Sequence, residues 1–473
     1  MHDDRRMVEE RVDRVLRERI RPAKYAMSIP LDVAAWQVPD EPVPVEEALG
    51  AQFEPFAVGT PWGRPWSTTW FRLVGRVPQE WAGRRVEAVI DLGFVGDWPG
   101  QQAEALVHDL AGQPVKGIEP SNTYVPVPGP GGAPCVGGEP VGYLVEAAAN
   151  PDILGGGFIP TTLGDKLTAG DAPLYRLARA DLAALDEQAW HLGLDVEVLS
   201  QLMHELAFTD PRRHEILRAL ERAMDALDLD EVAGSAAAAR DELAPALASP
   251  AQASAHRISA VGHAHIDSAW LWPLRETIRK TARTFANVTA LAQEYPEFMF
   301  ACSQAQQYAW VKQHQPEVYR RMQDAAKAGQ WVPVGGMWVE ADGNLPGGEA
   351  LARQLVHGKR FFLDEFGVDC QGVWLPDSFG YTAAYPQLAR LAGMRWFLTQ
   401  KISWNQTNRF PHNTFWWEGI DGSRIFTHFP PADTYNGTLE GAELARAVAN
   451  YAEKGAGSRS LLPFGHGDGG GGP

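Results

Sequence analysis

The sequence predicts a mixed α/β protein, with a parallel, (β/α) barrel-like domain at residues 251–473 that follows a β-sandwich-like domain and a helical connector. Three patterns lead to this prediction. From residue 256 onward, short apolar runs alternate with helical stretches, which is typical of strand and helix units in a parallel sheet. Short β-type runs separated by Pro and Gly fill residues 28–165, and residues 171–248 are rich in Ala and Leu at helical spacing.

An amphipathic helix is predicted within residues 1–25. Its apolar residues recur every four positions between charged residues, which is the pattern of a helix with one buried face. These residues are Val8, Val12, Leu16 and Ile20. We expect this face to lie on another domain.

The β-sandwich-like domain is predicted at residues 26–170 and the helical connector at residues 171–250. In the first region, Val86, Ala88, Ile90 and Leu92 recur with the period of a strand, and a loop rich in Pro and Gly spans residues 126–140. In the second region, Leu174, Leu177, Leu182 and Leu185 begin a helical pattern of leucines. The β-rich region shows no catalytic constellation, and an apolar stripe on a helix is normally core.

In the α/β domain, polar side chains follow the predicted strands. The strands are predicted at residues 258–261, 298–301, 331–334, 372–375 and 396–398, with helices at 276–294, 316–328 and 347–365. Because the active site of such a fold lies at the carboxyl ends of its strands, we expect the residues just past them to converge. These residues are His265, Asp267, Glu340, Asp342 and Asp377.

The pair His265 and Asp267 is a candidate metal site. In an extended segment, residues two apart point to the same side and can share one ion. Imidazole with carboxylate suits Zn²⁺ better than Mg²⁺ or Ca²⁺, which prefer oxygen ligands, although the ligand types leave Co²⁺ or another divalent ion open. The alternative for this spacing is a hydrogen-bonded pair in a loop.

Asp377 stands in the segment WLPDSFG at residues 374–380. An apolar strand end and a Pro that fixes the turn come before it, and an aromatic residue follows. The segment therefore predicts a carboxylate that acts on a ligand. The alternative is an Asp that caps the next helix.

The composition narrows the class of partner. Lys and Arg number 42 against 59 Asp and Glu, and the net charge of −17 disfavours nucleic acid or an anionic membrane as the main partner. Three scattered Cys residues form no disulfide framework and favour a cytoplasmic location. No signal peptide or membrane span is visible. The 17 Trp residues suit a protein that stacks aromatic rings on sugars, although packing is their commoner use.

Six ordered segments resemble the class II α-mannosidases of glycoside hydrolase family 38, and the cytoplasmic and bacterial branch more closely than the lysosomal and Golgi one. The segments are GHAHIDSAWLWP (262–273), GGMWVEADGNLP (335–346), WLPDSFG (374–380), KISWN (401–405), FWWEG (415–419) and GHGDGGGGP (465–473). The resemblance is strong over residues 255–473 and looser before them.

The resemblance implies a retaining hydrolase of terminal α-D-mannosyl residues in oligosaccharides, with one zinc ion per active site. His265, Asp267 and Asp377 would be zinc ligands, and Asp377 would also be the nucleophile that forms a covalent glycosyl-enzyme. The zinc would bind the O2 and O3 hydroxyls of the mannose ring. Asp468 is the best match to the acid/base residue, with a turn Asp as the alternative.

Further residues would bind the substrate. Trp270 is suited to stack on the sugar, Phe379 to wall the pocket, and Glu340, Asp342 and His466 to contact hydroxyls. Family members continue past the position of Pro473, and the resemblance puts a fourth zinc ligand, a His, in that part. We therefore expect this polypeptide alone to bind zinc weakly and hydrolyse little.

Two rival interpretations come from other classes. His263 with His265 after a first strand also opens the barrels of amidohydrolases, but those enzymes need further His ligands after later strands. A non-catalytic sugar-binding protein could use the β-rich domain and the Trp residues. A homo-oligomer is compatible with all three interpretations.

Overall fold

The N-terminal helix packs on the helical connector. The computed structural model describes residues 3–96, 98–154 and 159–473. In it, α1 (Arg5–Val15) continues through a π-helical turn (Leu16–Ile20) into the short α2 (Arg21–Ala23). The predicted apolar face is buried in one cluster with connector residues such as Leu192 and Leu220.

Antiparallel sheets form the β-rich domain. Its elements are β1 (Met27–Pro30), β2 (Asp32–Gln37), α3 (Val45–Leu49), β3 (Glu54–Pro55), β4 (Pro61–Trp62), β5 (Thr68–Arg76), β6 (Val86–Asp91), β7 (Glu104–Asp109), β8 (Pro114–Ile118), β9 (Tyr124–Val127), β10 (Pro140–Ala148), β11 (Tyr175–Arg176) and β12 (Arg179–Ala184). Short 3₁₀ turns lie at Gln79–Trp81 and Thr162–Gly164. The two large sheets have the strand orders β1-β12-β6-β9 and β3-β2-β5-β10-β7-β8, and β4 pairs with β11. Residues such as Val86, Ala88 and Ile90 fill the core between the large sheets, as their period predicts.

The start of the predicted helical connector is wrong. Leu177 and Leu182, assigned to a helix from their spacing, lie in or beside β11 and β12 and are buried in the core of the β-rich domain. The strand β12 pairs antiparallel with both β1 and β6. Ala180, Leu182 and Ala184 alternate at period two, and pairing between strands outweighs a leucine spacing that suits either structure.

Three helices form the connector itself. They are α4 (Glu187–Glu205), α5 (Pro211–Ala226) and α6 (Val232–Leu247). The side chain of Asp210 accepts a hydrogen bond from the backbone N–H of Arg212 and caps α5, which begins at Pro211.

Strands and helices alternate through the α/β domain, as predicted. The elements are β13 (Arg257–Gly262), α7 (Leu274–Glu294), β14 (Phe300–Cys302), α8 (Ala305–His314), α9 (Pro316–Lys327), β15 (Trp331–Pro333), α10 (Gly348–Phe366), β16 (Gly372–Leu375), α11 (Tyr385–Leu391), β17 (Trp396–Thr399), a 3₁₀ turn (Lys401–Trp404), β18 (Thr414–Glu418), β19 (Arg424–His428), α12 (Gly441–Asn450) and β20 (Arg459–Phe464). The short predicted strands and the three predicted helices all fall on these elements to within a few residues.

The strands form two sheets that pack together. One has the order β15-β14-β13-β20 and is parallel throughout, and the other, β16-β17-β19-β18, is parallel except for the pairing of β18 with β19. Ala301 and Val334 from the first sheet share an apolar cluster with Trp374 and Leu398 from the second. The alternating strands and helices confirm the α/β class. Within the described ranges no strand ladder joins the two sheets, and closure into a barrel stays a prediction.

The sheets bring the ends of several strands to one place. Residues just past β13, β16, β17 and β20, and one from the loop that follows β19, contact one another there, although they are as much as 203 positions apart in the chain. Over the same described ranges, no helix is long and apolar enough to cross a membrane.

Candidate active site

The segment after β13 carries the first two residues of the site. His265 and Asp267 lie on either side of Ile266, which is fully buried and forms an isolated bridge with Gly469. The extended segment turns both polar side chains to the same side, as the spacing predicted, and Nε2 of His265 lies 3.5 Å from Oδ1 of Asp267.

Asp377 joins them from the end of β16. Pro376 follows the last strand residue, and the carboxylate after it lies with Oδ2 3.4 Å from Nε2 of His265. Asp468 comes from the Gly-rich loop after β20 and has the left-handed φ of +60°. His265, Asp267, Asp377 and Asp468 each offer one ligand atom, and these atoms lie within 4.8 Å of one another.

Glu340 lies behind the imidazole. Its Oε2 is 2.9 Å from Nδ1 of His265, and its Oε1 accepts a hydrogen bond of 2.5 Å from Ser303. The carboxylate is nearly fully buried against the imidazole, and its contact with sugar hydroxyls stays a prediction. A carboxylate on one ring nitrogen, which leaves the other free for an ion, is the usual support of a metal-binding His.

The arrangement fits a divalent cation. In the described parts of the chain, neither buried ring nitrogen of His265 has a partner with full hydrogen-bond geometry, so Nε2 is available to an ion. Burial alone would lower the pKa of His265, but the charge of Glu340 and the contacts with Asp267 and Asp377 outweigh it and raise the pKa well above its ordinary value. These carboxylates therefore hold positive charge at the ring. A zinc ion, which takes imidazole nitrogen and carboxylate oxygen, can replace that proton.

Two residues to which the sequence analysis gave no role complete the site, and one of them, Lys401, belongs to the segment KISWN. The hydroxyl of Tyr435, in the loop after β19, lies 2.9 Å from Oδ1 of Asp377 and 2.8 Å from Oδ1 of Asp468. The ammonium of Lys401, directly after β17, forms an ion pair with Oδ1 of Asp377. Both residues are buried. A charged side chain just past a strand end was the available signal for Lys401, whereas Tyr435 stands seven residues beyond its strand.

The two carboxylates that Tyr435 joins have opposite pKa shifts. Burial raises the pKa of Asp377, but the hydrogen bond and charge of His265, with the ammonium of Lys401, outweigh it and lower the pKa to about 2. Burial also raises the pKa of Asp468; the charge of His265 and the hydrogen bond of Tyr435 lower it, but burial with the repulsion by Asp267 and Asp377 outweighs them, so the net shift is upward. Such a split is the usual arrangement of a nucleophile beside an acid.

The remaining predicted residues lie around this cluster in different ways. Trp270 and Phe379 are 41% and 77% exposed, so their rings are open to a ligand. The ammonium of Lys401 lies 5.2 Å from the ring centroid of Phe379, and the same ammonium pairs with Asp377, so the ring lies beside that carboxylate. Asp342 is exposed and accepts hydrogen bonds from the backbone of the two residues that end its turn, which is a structural use of the carboxylate. Nε2 of His466 lies 3.1 Å from Oγ of Ser121.

His263 lies apart from the cluster. Its Nδ1 is 2.9 Å from the carbonyl oxygen of Ala301, and its Nε2 accepts from the indole N–H of Trp374 at 3.5 Å. Burial lowers its pKa to about 4. The imidazole is thus a satisfied core group, which removes the paired-His feature that suggested an amidohydrolase.

Two family profiles match the chain. The profile described as "Glycosyl hydrolases family 38 N-terminal domain" matches residues 255–473. The profile described as "Alpha-mannosidase, jelly roll domain" matches residues 29–183. The second match agrees with the structure in placing β12 inside the β-rich domain.

Curated relatives match most of the chain. Alpha-mannosidase 2C1 of Homo sapiens is 40% identical over 462 residues, which cover 95% of this chain and 42% of the relative. Alpha-mannosidase of Saccharomyces cerevisiae is 34% identical over 446 residues, covering 89% of this chain and 38% of the relative. The chain therefore spans about two fifths of the length of the relatives it matches.

Among solved structures, an alpha-mannosidase from Enterococcus faecalis V583 aligns with 46% of this chain and 26% of its own, at 23% identity and a TM-score of 0.40. The two matched profiles, the curated relatives and the ordered motifs agree. The chain belongs to glycosyl hydrolase family 38, with the N-terminal domain of that family preceded by an α-mannosidase jelly-roll domain.

Proposed function

We propose that this chain carries the catalytic carboxylates of a retaining α-mannosidase that hydrolyses terminal α-D-mannosyl residues of oligosaccharides. The observation that carries the proposal is the spacing of Asp377 and Asp468. A carboxylate oxygen of Asp377 lies within 4.8 Å of a carboxylate oxygen of Asp468. Carboxyl groups of retaining glycosidases lie about 5–5.5 Å apart, whereas inverting enzymes leave about 6.5–9.5 Å for a water molecule. The hydroxyl of Tyr435 also contacts both carboxylates, at 2.9 and 2.8 Å, so the two groups face each other across a short gap, which favours the retaining course.

Each carboxylate has a role that its surroundings support. Asp377, ionised beside Lys401, attacks the anomeric carbon while the bond to the leaving oxygen breaks, and Asp468 gives its proton to that oxygen. Water then attacks the glycosyl-enzyme, its proton passes to Asp468, and Asp377 leaves as a carboxylate. The anomeric configuration is thereby inverted twice and retained.

Tyr435 can link the two carboxylates in their different protonation states. A hydroxyl donates one hydrogen bond, so it cannot donate to both oxygens at once. Donation to Asp377 leaves its oxygen free to accept from protonated Asp468, which is the state needed at the start of the reaction. Burial, together with the two carboxylates, raises the pKa of Tyr435, so the hydroxyl keeps its proton.

The donor set supports zinc at this site. A zinc ion held by His265, Asp267 and Asp377 would act as a Lewis acid on hydroxyl oxygens of the bound sugar, and Co²⁺ could use the same donors. The raised pKa of Asp468 favours its use as proton donor over that of a fourth ligand. In the described ranges no second imidazole joins the cluster, since His263 contacts Ala301 and His466 contacts Ser121.

The exposed rings suit a mannose-containing oligosaccharide. Trp270 and Phe379 have exposed rings, and that of Phe379 lies beside the polar cluster at Lys401; such rings are suited to pack on a sugar. Three further statements stay predictions from the sequence: the chain binds neither nucleic acid nor membranes, it is cytoplasmic, and it is compatible with a homo-oligomer.

The steric course tests the proposal. NMR of an aryl α-mannoside during early turnover by the full-length protein should show α-mannose as the first product, before mutarotation. Asp377→Ala should abolish turnover while leaving sugar binding measurable. β-Mannose as the first product, or turnover that Asp377→Ala leaves unchanged, would contradict the assignment.

A further inference from the structure

The loop that carries Asp468 contacts the jelly-roll domain backbone to backbone. Gly100, in the segment before β7, has a φ of +98°, and a Cβ built on it would lie 2.6 Å from Cα of Gly469. Real Cβ atoms essentially never come so close. The residue next to Asp468 is therefore packed against a position that only glycine can fill.

Side chains of the same domain hold the loop on both sides of Asp468. Ser121 contacts His466 at 3.1 Å, and Asn122 donates a hydrogen bond of 3.0 Å to the carbonyl oxygen of Pro473. The ring of Trp98 meets the ring of His466 edge to face, with the centroids 5.6 Å apart. Contacts before, beside and after Asp468 thus come from one domain.

The other face of the loop rests on the α/β domain. The backbone N–H of Asp267 donates to the carbonyl oxygen of Asp468 at 2.8 Å, and that of Gly471 donates to Oγ1 of Thr284 at 2.9 Å. Asn287 donates to the carbonyl oxygen of Gly471 at 3.1 Å. The loop is held between the two domains and has four consecutive glycines after Asp468, so its conformation depends on these neighbours.

The segment of the jelly-roll domain around Gly100 is itself fixed to α7. Lys280, fully buried, donates a hydrogen bond of 2.5 Å to the carbonyl oxygen of Gly100 and forms an ion pair with Glu104. A buried ammonium with defined partners holds the segment around Gly100 in one position. That segment can in turn fix the position of the loop that it contacts.

We propose that the jelly-roll domain is a positioning part of the active site: through Gly100, Ser121 and Asn122 it fixes the loop 465–473 and so sets Asp468 as the proton donor. Because Asp468 is taken as the acid proposed above, this role rests on the proposed function. It assigns a task in the reaction to a domain that contributes no catalytic residue.

The expected signature is a dependence on the leaving group. An alkoxide that leaves from a disaccharide needs the proton of Asp468, whereas 2,4-dinitrophenolate leaves without one. A displacement of the loop therefore slows hydrolysis of the first substrate and spares the second. A general loss of folding would slow both.

Gly100→Ala is the test variant and Gly83→Ala its control. Gly83 lies in the same domain with a φ of +82°, and nothing lies within 4 Å of a Cβ built on it. Both variants carry the cost of an alanine at positive φ, but only Gly100→Ala presses on the loop. Ser121→Ala is a milder variant that removes one contact with His466 and adds no backbone strain.

The experiment measures kcat/KM of the full-length protein on a mannose disaccharide and on 2,4-dinitrophenyl α-mannoside. Gly100→Ala should lower the disaccharide value by about 100-fold, the scale of a misplaced catalytic group, and the aryl value by less than about threefold. Ser121→Ala should lower the disaccharide value by about three- to tenfold and the aryl value by less. Equal losses on both substrates, or values like those of Gly83→Ala, would overturn the positioning role.

Amide hydrogen exchange separates this role from the proposed function. The amides of His466 and Gly471, which are hydrogen-bonded inside the loop and to Thr284, should exchange faster in Gly100→Ala than in the wild type or Gly83→Ala. Unchanged exchange would refute the positioning role of the jelly-roll domain. If the wild type turned over neither substrate, the proposed function would fail while the exchange result still decided whether the domain holds the loop.

Discussion

Replacing Tyr435 by Phe removes the hydroxyl that joins the two catalytic carboxylates and changes little else. The oxygen lies 2.9 Å from Asp377 and 2.8 Å from Asp468, and its hydrogen bond to ionised Asp377 is charge-assisted. A hydrogen bond to a charged group contributes about 1.5–3 kcal/mol, which corresponds to a loss in kcat/KM of about 10- to 150-fold. The residue is buried, so the ring itself should stay in place.

The assay is kcat/KM of the full-length protein on an aryl α-mannoside, with thermal unfolding measured in parallel. Tyr308→Phe is the matched control, because its hydroxyl is also buried but bonds the carbonyl oxygen of Cys302 and the indole N–H of Trp331. Tyr308→Phe should lower stability by about 1–3 kcal/mol, since it leaves buried groups unsatisfied, with a change in kcat/KM below about threefold. A loss below about threefold for Tyr435→Phe would refute the bridging role.

Three further predictions concern charge. Lys401→Met removes the ammonium that helps to hold the pKa of Asp377 at about 2, so that pKa should rise and the acid limb of the pH profile of kcat/KM should move to higher pH; an unmoved limb would speak against the pair. Glu276→Gln breaks a fully buried ion-pair group and should cost about 3–5 kcal/mol in urea unfolding. Burial raises the pKa of Glu276, but its cationic neighbours lower it by more, so the net shift is downward. Its contribution to the free energy of unfolding is therefore present above about pH 4.3 and lost on acidification, and the stability of the variant should depend less on acid. In the dialysed full-length protein, His265→Ala should abolish bound zinc in metal analysis, whereas His263→Ala should retain zinc and lose stability; equal zinc in both would contradict the ligand assignment.

Much of the α/β domain could be predicted because its signals are local. A buried parallel strand is a short apolar run, and an amphipathic helix repeats every three to four residues, so each element is visible within its own segment. The convergence of His265, Asp267 and Asp377 followed from one rule about strand ends. The same rule could not give the side-chain geometry, such as the contact of Glu340 with the imidazole of His265.

The errors arose where tertiary contacts decide. Residues 174–185 carry leucines at a spacing that suits a helix, yet β12 is fixed by its pairing with β1 and β6. Tyr435 reaches the carboxylates from a loop well beyond its strand, and no periodicity marks such a residue. The sequence of the β-rich region gave no sign of its contact with the site, because Gly100, Trp98 and two small polar side chains make that contact and none of them marks a catalytic motif.

The identity of the nucleophile is the central claim, and covalent trapping tests it most directly. A 5-fluoro α-mannosyl fluoride, which slows hydrolysis of the glycosyl-enzyme more than its formation, is incubated with the full-length protein, which is then digested and analysed by mass spectrometry. We predict one added fluoromannosyl group on the peptide that contains residues 374–380, located on Asp377. An adduct on another carboxylate, or steady turnover of natural substrate with no adduct at all, would contradict the account.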